Sequence, residues 1–376
     1  MRDLCNVLCI VLAGATACSD GPRSTDSDPP TGVRKPSEDQ VQAKPAKPTK
    51  PARELSLNDA RRRLWPRKHS DTFEATTTRE RTAVQPLIDP LIAALAQGKP
   101  LPAIHDIAEE LGFELEEWVI EGVTLWALVE PDSRRRGGGI YLFRRDAPVL
   151  GERPLRLLQA PHSYYDTRTG LLALTLLVRG SADARPDVLF ANSMHRYGRP
   201  GGEVPATPVP TDLSHNPDHL FSAMTDTLAR THGRVQVVQL HGFAHLDKEK
   251  KAEAKGAKTN TAGKEEIEDK AEKKAVEAVV SAGLREHSSV RARSTAKALR
   301  SVLQEVRVFP EEVDQLGATT NVQGKLLRMV PRSSFVHVEL SKNARDRLAN
   351  DPGLLDRLGA GLWVWNSAKP QEHTDR

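Results

Sequence analysis

Residues 155–170 read LRLLQAPHSYYDTRTG, and the rest of the chain is interpreted from this stretch. A short apolar run is broken by Pro161 and followed by His162 and, four residues later, Asp166. An apolar run of this length with turn residues behind it is typical of a buried strand, and α/β sheets bind their ligands just beyond the carboxyl ends of such strands. The stretch therefore predicts a buried strand that delivers a histidine and an acid to a crevice.

The same pattern returns at residues 235–243, which read VQVVQLHGF and end an apolar run with His241. Two strand-end histidines and a nearby carboxylate are the three protein ligands of a catalytic zinc site, which keeps a fourth position for water. A single histidine at a strand end is more often structural. The pair with Asp166 favours a metal site, and the structural alternative stays open.

The segments that follow residue 155 alternate between strand and helix patterns, which predicts an α/β domain over residues 151–366. We expect a mostly parallel or mixed central sheet with helices on both faces. The predicted strands lie at 187–192, 234–240, 276–280 and 335–340, and the predicted helices at 170–178, 217–230, 294–306 and 341–358. A small α+β segment is predicted before this domain, at 53–150, with a helix at 83–96. Residues 117–130 and 139–143 are predicted to form the strands of an antiparallel hairpin or meander, with Gly122 at a turn.

The first residues predict export. An apolar run at 4–14 follows Arg2 and is too short to span a membrane, and small residues lead from it to Cys18. This resembles a bacterial lipoprotein signal, which implies a signal peptide at 1–17, lipid on Cys18 and anchorage in the cell envelope, in the outer membrane on its periplasmic side or at the cell surface. An ordinary secretory signal, or an uncleaved apolar start, is the alternative.

The amino-acid composition indicates which of the remaining segments can fold. Only 38% of the 376 residues are hydrophobic, and residues 18–52 and the Lys/Glu-rich insertion at 247–275 contain few apolar side chains. Such segments cannot bury enough surface to offset the entropy of ordering, so we expect a disordered tether and a disordered insertion. The net charge of +4 is small for this length and does not favour a nucleic-acid partner. Nothing in the sequence indicates the oligomeric state.

Common catalytic motifs are absent from the sequence: there is no HExxH, GxSxG or CxxC, and no GxGxxG after a strand. What remains is a set of polar residues at strand ends: His162, Asp166, Asn192, His195, Arg196, His241, Asn321 and Glu339. Their surroundings, APHSYYD, NSMHRY, QLHGF, ATTNVQG and HVELSKNARDRL, resemble the N-formylglutamate amidohydrolase family. They resemble more distantly the zinc carboxypeptidases and the phage-type poly-γ-glutamate hydrolases.

The resemblance implies a role for each of these residues. It places Zn²⁺ on His162, Asp166 and His241 and makes Glu339 the general base. It makes Arg196 a catalytic and substrate-binding cation that docks a carboxylate, with a surface ion pair as the alternative. His195 is a candidate for shaping the substrate pocket. Asn192 and Asn321 are candidate lining residues, for which structural hydrogen bonding is equally open. Asp166 follows its histidine by four residues, whereas the carboxypeptidases have a spacing of three, so a sharper turn is needed. For Glu339 the alternative is that it caps the helix that follows.

The resulting hypothesis is a zinc-dependent amidohydrolase or carboxypeptidase-like enzyme that cleaves an amide bond near a carboxylate. Its substrate would be an N-acyl amino acid, a peptide, a γ-glutamyl compound or a cell-wall peptide. The alternative is a catalytically inactive envelope lipoprotein that uses the same fold for binding.

Overall fold

The computed structural model describes residues 51–67, 72–100, 103–147, 153–198, 209–244, 246 and 275–364. Four predictions lie wholly or almost wholly outside these residues: the signal peptide at 1–17, the tether at 18–52, lipidation of Cys18 and the insertion at 247–275. All of the described residues belong to one compact unit, Ala46–Arg376.

A ten-stranded mixed sheet forms the centre of the protein, in the order β1-β2-β3-β4-β6-β5-β7-β10-β8-β9. The strands are β1 Arg53–Leu55, β2 Glu114–Ile120, β3 Val123–Val129, β4 Ile140–Arg144, β5 Leu155–Ala160, β6 Val188–Ala191, β7 Val235–Phe243, β8 Ala278–Ser281, β9 Val306–Val308 and β10 Ser334–Ser341. The four central strands β6, β5, β7 and β10 are parallel to one another. Their carboxyl ends therefore meet along one edge, where α/β sheets place ligands.

Nine helices of the described residues cover both faces of this sheet. They are α1 Leu57–Leu64, α2 Thr78–Ala96, α3 His105–Glu110, α4 Thr169–Arg179, α5 Leu220–His232, α6 Val290–Leu299, α7 Val322–Arg328, α8 Lys342–Asn350 and α9 Pro352–Leu362. Helices α1, α4, α6, α8 and α9 contribute to one apolar cluster, and α2, α3, α5 and α7 to the other. The predicted α/β fold with a mixed sheet and helices on both faces is confirmed.

Local sequence explains where several elements begin and end. Thr77 and Glu80 form a capping box, so α2 begins five residues before the predicted start at residue 83. The antiparallel pairing predicted at 117–130, with Gly122 at a turn, is confirmed: Glu121 and Gly122 both take positive φ and reverse the chain between β2 and β3. The helix predicted at 294–306 begins earlier, at Val290, because Ser289 caps it.

The strands before residue 150 belong to the same sheet as those after it. Strand β4 pairs antiparallel with β6, with Tyr141 opposite Phe190 and Phe143 opposite Val188. The rings of Tyr141 and Phe190 meet edge to face, with their centroids 4.9 Å apart. Aromatic cross-strand pairs of this kind stabilise a sheet beyond the apolar area that they bury.

None of the helices in the described part of the chain combines the length and the apolar character that crossing a bilayer requires.

His219 is a buried histidine at the start of α5 whose protonation opposes folding. Its Nδ1 accepts a hydrogen bond from the Phe221 amide at 2.9 Å, and its Nε2 donates to the Gly137 carbonyl oxygen at 2.8 Å. Burial lowers the pKa of His219 from 6.5 to about 4. Below pH 6.5 His219 is therefore protonated in the unfolded chain but stays neutral in the folded chain. The free energy of unfolding decreases as the pH falls from 6.5 toward 4.

We expect this one group to reduce the free energy of unfolding by about 2 kcal/mol between pH 7.5 and pH 5. The variant His219→Asn keeps a helix-capping oxygen but no longer titrates, so its unfolding free energy should depend less on pH by about that amount. Urea unfolding at the two pH values measures the difference. The variant His287→Asn, at an exposed position, controls for the loss of an imidazole. Equal pH dependence in His219→Asn and the unmodified protein would contradict the assignment.

Candidate metal centre

One face of the central strands changes from apolar to polar toward the carboxyl edge. On β7, Val235 and Val237 lie in an apolar cluster, and the next residues on the same face are Gln239 and His241. The register of β7 and β10 places His337 beside Gln239 and Glu339 beside His241. We call the resulting buried patch the polar end of the sheet; it consists of Gln159, Gln239, His241, His337 and Glu339.

A tight turn after β5 adds His162 and Asp166 to this patch. The Asp166 amide donates a hydrogen bond to the His162 carbonyl oxygen at 2.7 Å, so the chain makes one helix-like turn between them. A spacing of four in such a turn brings both side chains to the same side. Asp166 Oδ2 lies 3.5 Å from His162 Nδ1 and 3.3 Å from His241 Nδ1. All three side chains are buried, and together they could hold a metal ion.

Asp212 fixes the orientation of His162. Its Oδ1 lies 2.8 Å from His162 Nε2. Burial acts against ionisation of Asp212, but hydrogen bonds from His162 and His215 and the charge of Arg196 outweigh it and hold the pKa of this carboxyl well below its usual range. An ionised carboxylate only accepts hydrogen bonds, so His162 donates from Nε2 and directs Nδ1 toward Asp166.

A chain of buried amides fixes His241 in the same way. Asn321 Oδ1 accepts from the Gly324 amide, so its Nδ2 donates to Gln239 Oε1 at 2.6 Å. Gln323 Nε2 donates to the Leu213 carbonyl oxygen, and its Oε1 accepts from Gln239 Nε2. Backbone groups at both ends thus identify Gln239 Oε1 as an acceptor. It lies 2.8 Å from His241 Nε2, which therefore donates and leaves Nδ1 facing Asp166.

These atoms fit a bound cation. His162 Nδ1 and Asp166 Oδ2 are buried and have no hydrogen-bond partner among the described residues. In the arrangement that their outer partners fix, two imidazole lone pairs face one carboxylate oxygen, which is repulsive unless a positive charge lies between them. Ligand atoms around a tetrahedral metal ion with bonds of about 2.1 Å are about 3.4 Å apart. The observed separations of 3.3 and 3.5 Å match this value.

The electrostatics of the centre also favour positive charge. Burial acts against a charged His162, but Asp166 and Asp212 outweigh it and raise the pKa of this histidine. A cation is therefore stabilised here, whether it is a proton on His162 or a metal ion. Burial lowers the pKa of His241 to about 4, so this imidazole is neutral near pH 7, as a metal ligand must be.

Glu339 lies next to this centre on β10. Burial raises its pKa well above the usual range, and the negative charge of Asp166 raises it further. Its Oε1 is 3.5 Å from His337 Nε2, whereas its Oε2 has no hydrogen-bond partner among the described residues. His241, His337 and Glu339 form a second group that could hold a metal ion. The helix cap that follows is Ser341, whose side chain accepts from the Ala344 amide, so capping does not account for Glu339.

Arg196 and His195 lie at the rim of the centre. Arg196 donates to Asp212 Oδ2 from Nε at 3.1 Å and from Nη2 at 2.5 Å, and its guanidinium lies over the rings of Tyr165 and Tyr197. His195 Nδ1 accepts from the Tyr197 amide at 3.2 Å, and its ring contacts Tyr165 edge-on. The predicted carboxylate-docking cation thus already has a carboxylate partner within the protein.

The two asparagines predicted at the substrate site are buried and bonded to the protein. Asn192 accepts from the Ser163 amide and donates to the Met194 carbonyl oxygen, which holds the turn after β5. Asn321 caps α7 and donates to Gln239. Both side chains therefore hold neighbouring parts of the centre in place through hydrogen bonds. Contact of either residue with a substrate stays a prediction.

Three residues of the centre were missed at the level of sequence. His337 and Gln239 could have been predicted from the sequence, because each lies two residues before a predicted site residue and therefore on the same face of its strand. The alternation that draws attention to Glu339 applies equally to His337. Asp212 lies in a loop without periodicity and had no such signal.

No protein-family model matches the chain, and no curated protein does. The solved structures that align with it include three at 10–13% identity. A provisionally assigned carboxypeptidase A from Shewanella denitrificans OS-217 has a TM-score of 0.33 over 64% of this chain and 60% of its own. A provisionally assigned metallopeptidase from Shewanella amazonensis SB2B has 0.32, over 74% and 91%. N-formylglutamate amidohydrolase from Ralstonia eutropha JMP134 has 0.31, over 57% and 94%. At these TM-scores the alignments do not assign a function to this chain.

Removing the charge of Asp212 should weaken metal binding. We expect Asp212→Asn to lower the affinity for a divalent ion about 10- to 100-fold, because a neutral amide accepts the hydrogen bond of His162 Nε2 less strongly than a carboxylate and orients the imidazole less firmly. Titration with Zn²⁺ or Co²⁺ in competition with a chelator measures the affinity. The matched control is Asp226→Asn, which removes a carboxylate that pairs with Arg230 on the surface. Unchanged affinity in Asp212→Asn would show that His162 needs no such support.

Proposed function

We propose that the protein is a zinc-dependent hydrolase that cleaves an amide bond close to a carboxylate. The substrate class is an N-acyl amino acid, a peptide, a γ-glutamyl compound or a cell-wall peptide. One observation carries the proposal: His162, Asp166 and His241 converge, and buried atoms of His162, Asp166 and the neighbouring Glu339 have no hydrogen-bond partner among the described residues.

The donor set supports zinc. Two imidazole nitrogens and one carboxylate are three protein ligands of the kind that catalytic zinc sites use, and the fourth position stays open. When bound, zinc supplies a Lewis acid that acidifies water and polarises the scissile carbonyl. Asp212 and Gln239 are the outer partners that hold both imidazoles in the required tautomer.

Glu339 is suited to proton transfer in this reaction. Its Oε2 accepts a proton from the attacking water and returns it to the leaving nitrogen, so that the carboxylate is regenerated after each cycle. Burial and the charge of Asp166 raise the pKa of Glu339, in the direction that a group needs to accept and release a proton near neutral pH. His337 lies at the other oxygen of the carboxylate and limits its rotation.

The side chains at the rim of the centre are suited to bind a substrate with a negatively charged group. Arg196 lies between Tyr165 and Tyr197, and Tyr165 is 43% exposed although it is a large aromatic residue. An exposed aromatic ring beside a cation offers an apolar surface and a positive charge to one ligand.

We also propose that the protein is exported and anchored in the cell envelope through lipid on Cys18. The apolar run at 4–14 and the small residues before Cys18 support this address. A location in the envelope favours peptides or peptidoglycan fragments as substrates.

Glu339→Gln should separate metal binding from turnover. We expect the variant to bind zinc with the stoichiometry of the unmodified protein and to lose at least about 100-fold in kcat, since a carboxamide is too weak a base to accept a proton from water. Zinc content is measured by metal analysis. Hydrolysis is measured on N-formyl- and N-acetyl-glutamate, γ-linked glutamyl peptides and acylated dipeptides.

Glu305→Gln is the matched control, because Glu305 pairs with Arg307 on β9, outside the centre. It should keep both zinc and activity. Full turnover in Glu339→Gln, or a zinc-loaded protein that hydrolyses none of these amides, would contradict the proposed function; the second result would leave a binding protein.

Lipidation is tested on the full chain. Cells that express it should incorporate labelled palmitate into the protein, and Cys18→Ser should abolish the label and release the protein from membranes. Labelling that persists in Cys18→Ser would contradict the anchor.

A further inference from the structure

A second set of metal-ligand side chains overlaps the first. His337 and Glu339 lie two residues apart on β10, so both belong to the same face of the strand, and the register places His241 of β7 beside Glu339. One ligand atom from each of the three lies within 4.8 Å of the others, and all three residues are buried. Like the first set, this one offers two imidazoles and one carboxylate, which are ligands that zinc accepts.

The spacing within this second set also suits a metal ion. His337 Nε2 lies 3.5 Å from Glu339 Oε1, close to the separation of about 3.4 Å between ligand atoms of a tetrahedral ion. The ring centroids of His241 and His337 are 4.6 Å apart, the same distance as between His162 and His241 in the first set. His337 Nδ1 and Glu339 Oε2 are buried and have no hydrogen-bond partner among the described residues. The contacts that the structure describes therefore leave both side chains able to bind a ligand.

His241 belongs to both sets but can bind only one ion at a time. Its Nε2 donates to Gln239 Oε1, so Nδ1 carries its one free lone pair. The two sets are therefore alternative positions for one ion and not the halves of a two-metal centre. Glu339 has a different role in each. It is free to accept a proton when the ion lies in the first position, and it is a ligand when the ion lies in the second.

The outer hydrogen bonds favour the first position. Asp212 accepts from His162, and Gln239 accepts from His241, so both imidazoles of the first set are held by a partner behind them. His337 lacks such a partner, because its Nδ1 has none and its Nε2 only approaches Glu339. Outer partners of metal-bound histidines typically contribute about 10- to 100-fold to metal affinity. The second position should therefore be weaker than the first by a factor of this order.

We propose that His241, His337 and Glu339 form an alternative position for the metal ion in which the centre is inactive. An ion in this position uses the carboxylate of Glu339 as a ligand, so no base remains to take a proton from water. His337 is the residue that makes the second position possible, because the first position does not use it. Only the inactivity of this state rests on the proposed function; binding at the second position does not.

Removing a ligand that only the first position uses isolates the second. We expect the full chain with Asp166→Ala to bind one Co²⁺ ion about 10- to 100-fold more weakly than the unmodified chain. Adding His337→Ala should weaken binding by at least about another 100-fold, because neither position then keeps three protein ligands. His337→Ala alone should leave the affinity nearly unchanged. Competition with a chelator measures the affinity, and the visible absorption of Co²⁺ reports its coordination.

Glu339→Gln gives a second readout. In the unmodified chain this substitution should leave the ion bound, whereas in Asp166→Ala it should strongly weaken binding, because the carboxylate is then a ligand. The matched control is His232→Ala in the Asp166→Ala chain. His232 is a half-buried histidine at the end of α5, before β7 begins and thus away from the carboxyl edge, and its loss should leave Co²⁺ binding unchanged. If Asp166→Ala does not fold, His162→Ala replaces it, since His162 also belongs to the first position alone.

A folded Asp166→Ala chain that binds no Co²⁺, or that binds it equally well with and without His337, overturns the second position and leaves the proposed hydrolase in place. Binding that depends on His337 in a chain that hydrolyses no amide would keep the second position and remove the proposed function. A chain that binds no Co²⁺ in its unmodified form contradicts both.

Discussion

The parallel register between β7 and β10 is the constraint on which the centre depends. It sets Glu339 beside His241 and His337 beside Gln239 on one face, while Val336, Val338 and Leu340 fill the apolar cluster on the other. A slip of one residue would exchange the two sets and bury the polar side chains among aliphatic ones. The ladder is therefore fixed by the core, and the position of the reactive groups follows from it.

The centre also depends on hydrogen-bond partners for its many buried polar groups. The amide chain through Gln239, Asn321 and Gln323 ends on backbone groups, so its donors and acceptors have a single arrangement. Such a fully bonded network is rigid, and it holds His241 without a contribution from substrate. Four of the unpartnered buried atoms in the described residues lie at the centre instead: His162 Nδ1, Asp166 Oδ2, His337 Nδ1 and Glu339 Oε2.

Much of this arrangement could be predicted from strand ends. Apolar runs that stop at His162 and His241, and the alternation that exposes Glu339 as a polar residue in a buried strand, were sufficient to bring the right side chains together and to predict the α/β class. The partners of Arg196 could not be predicted, because Asp212 comes from a loop whose path no periodic pattern encodes.

The antiparallel contact between β4 and β6 has a consequence for how the chain can be divided. A fragment that starts near residue 151 would leave β6 at an open edge, because β6 would lose its pairing with β4 and the ring of Phe190 would lose its contacts with Tyr141 and Phe143. Unpaired strands of this kind recruit other chains and aggregate. The segment before residue 150 therefore covers the β6 edge of the sheet, and a fragment without this segment should aggregate.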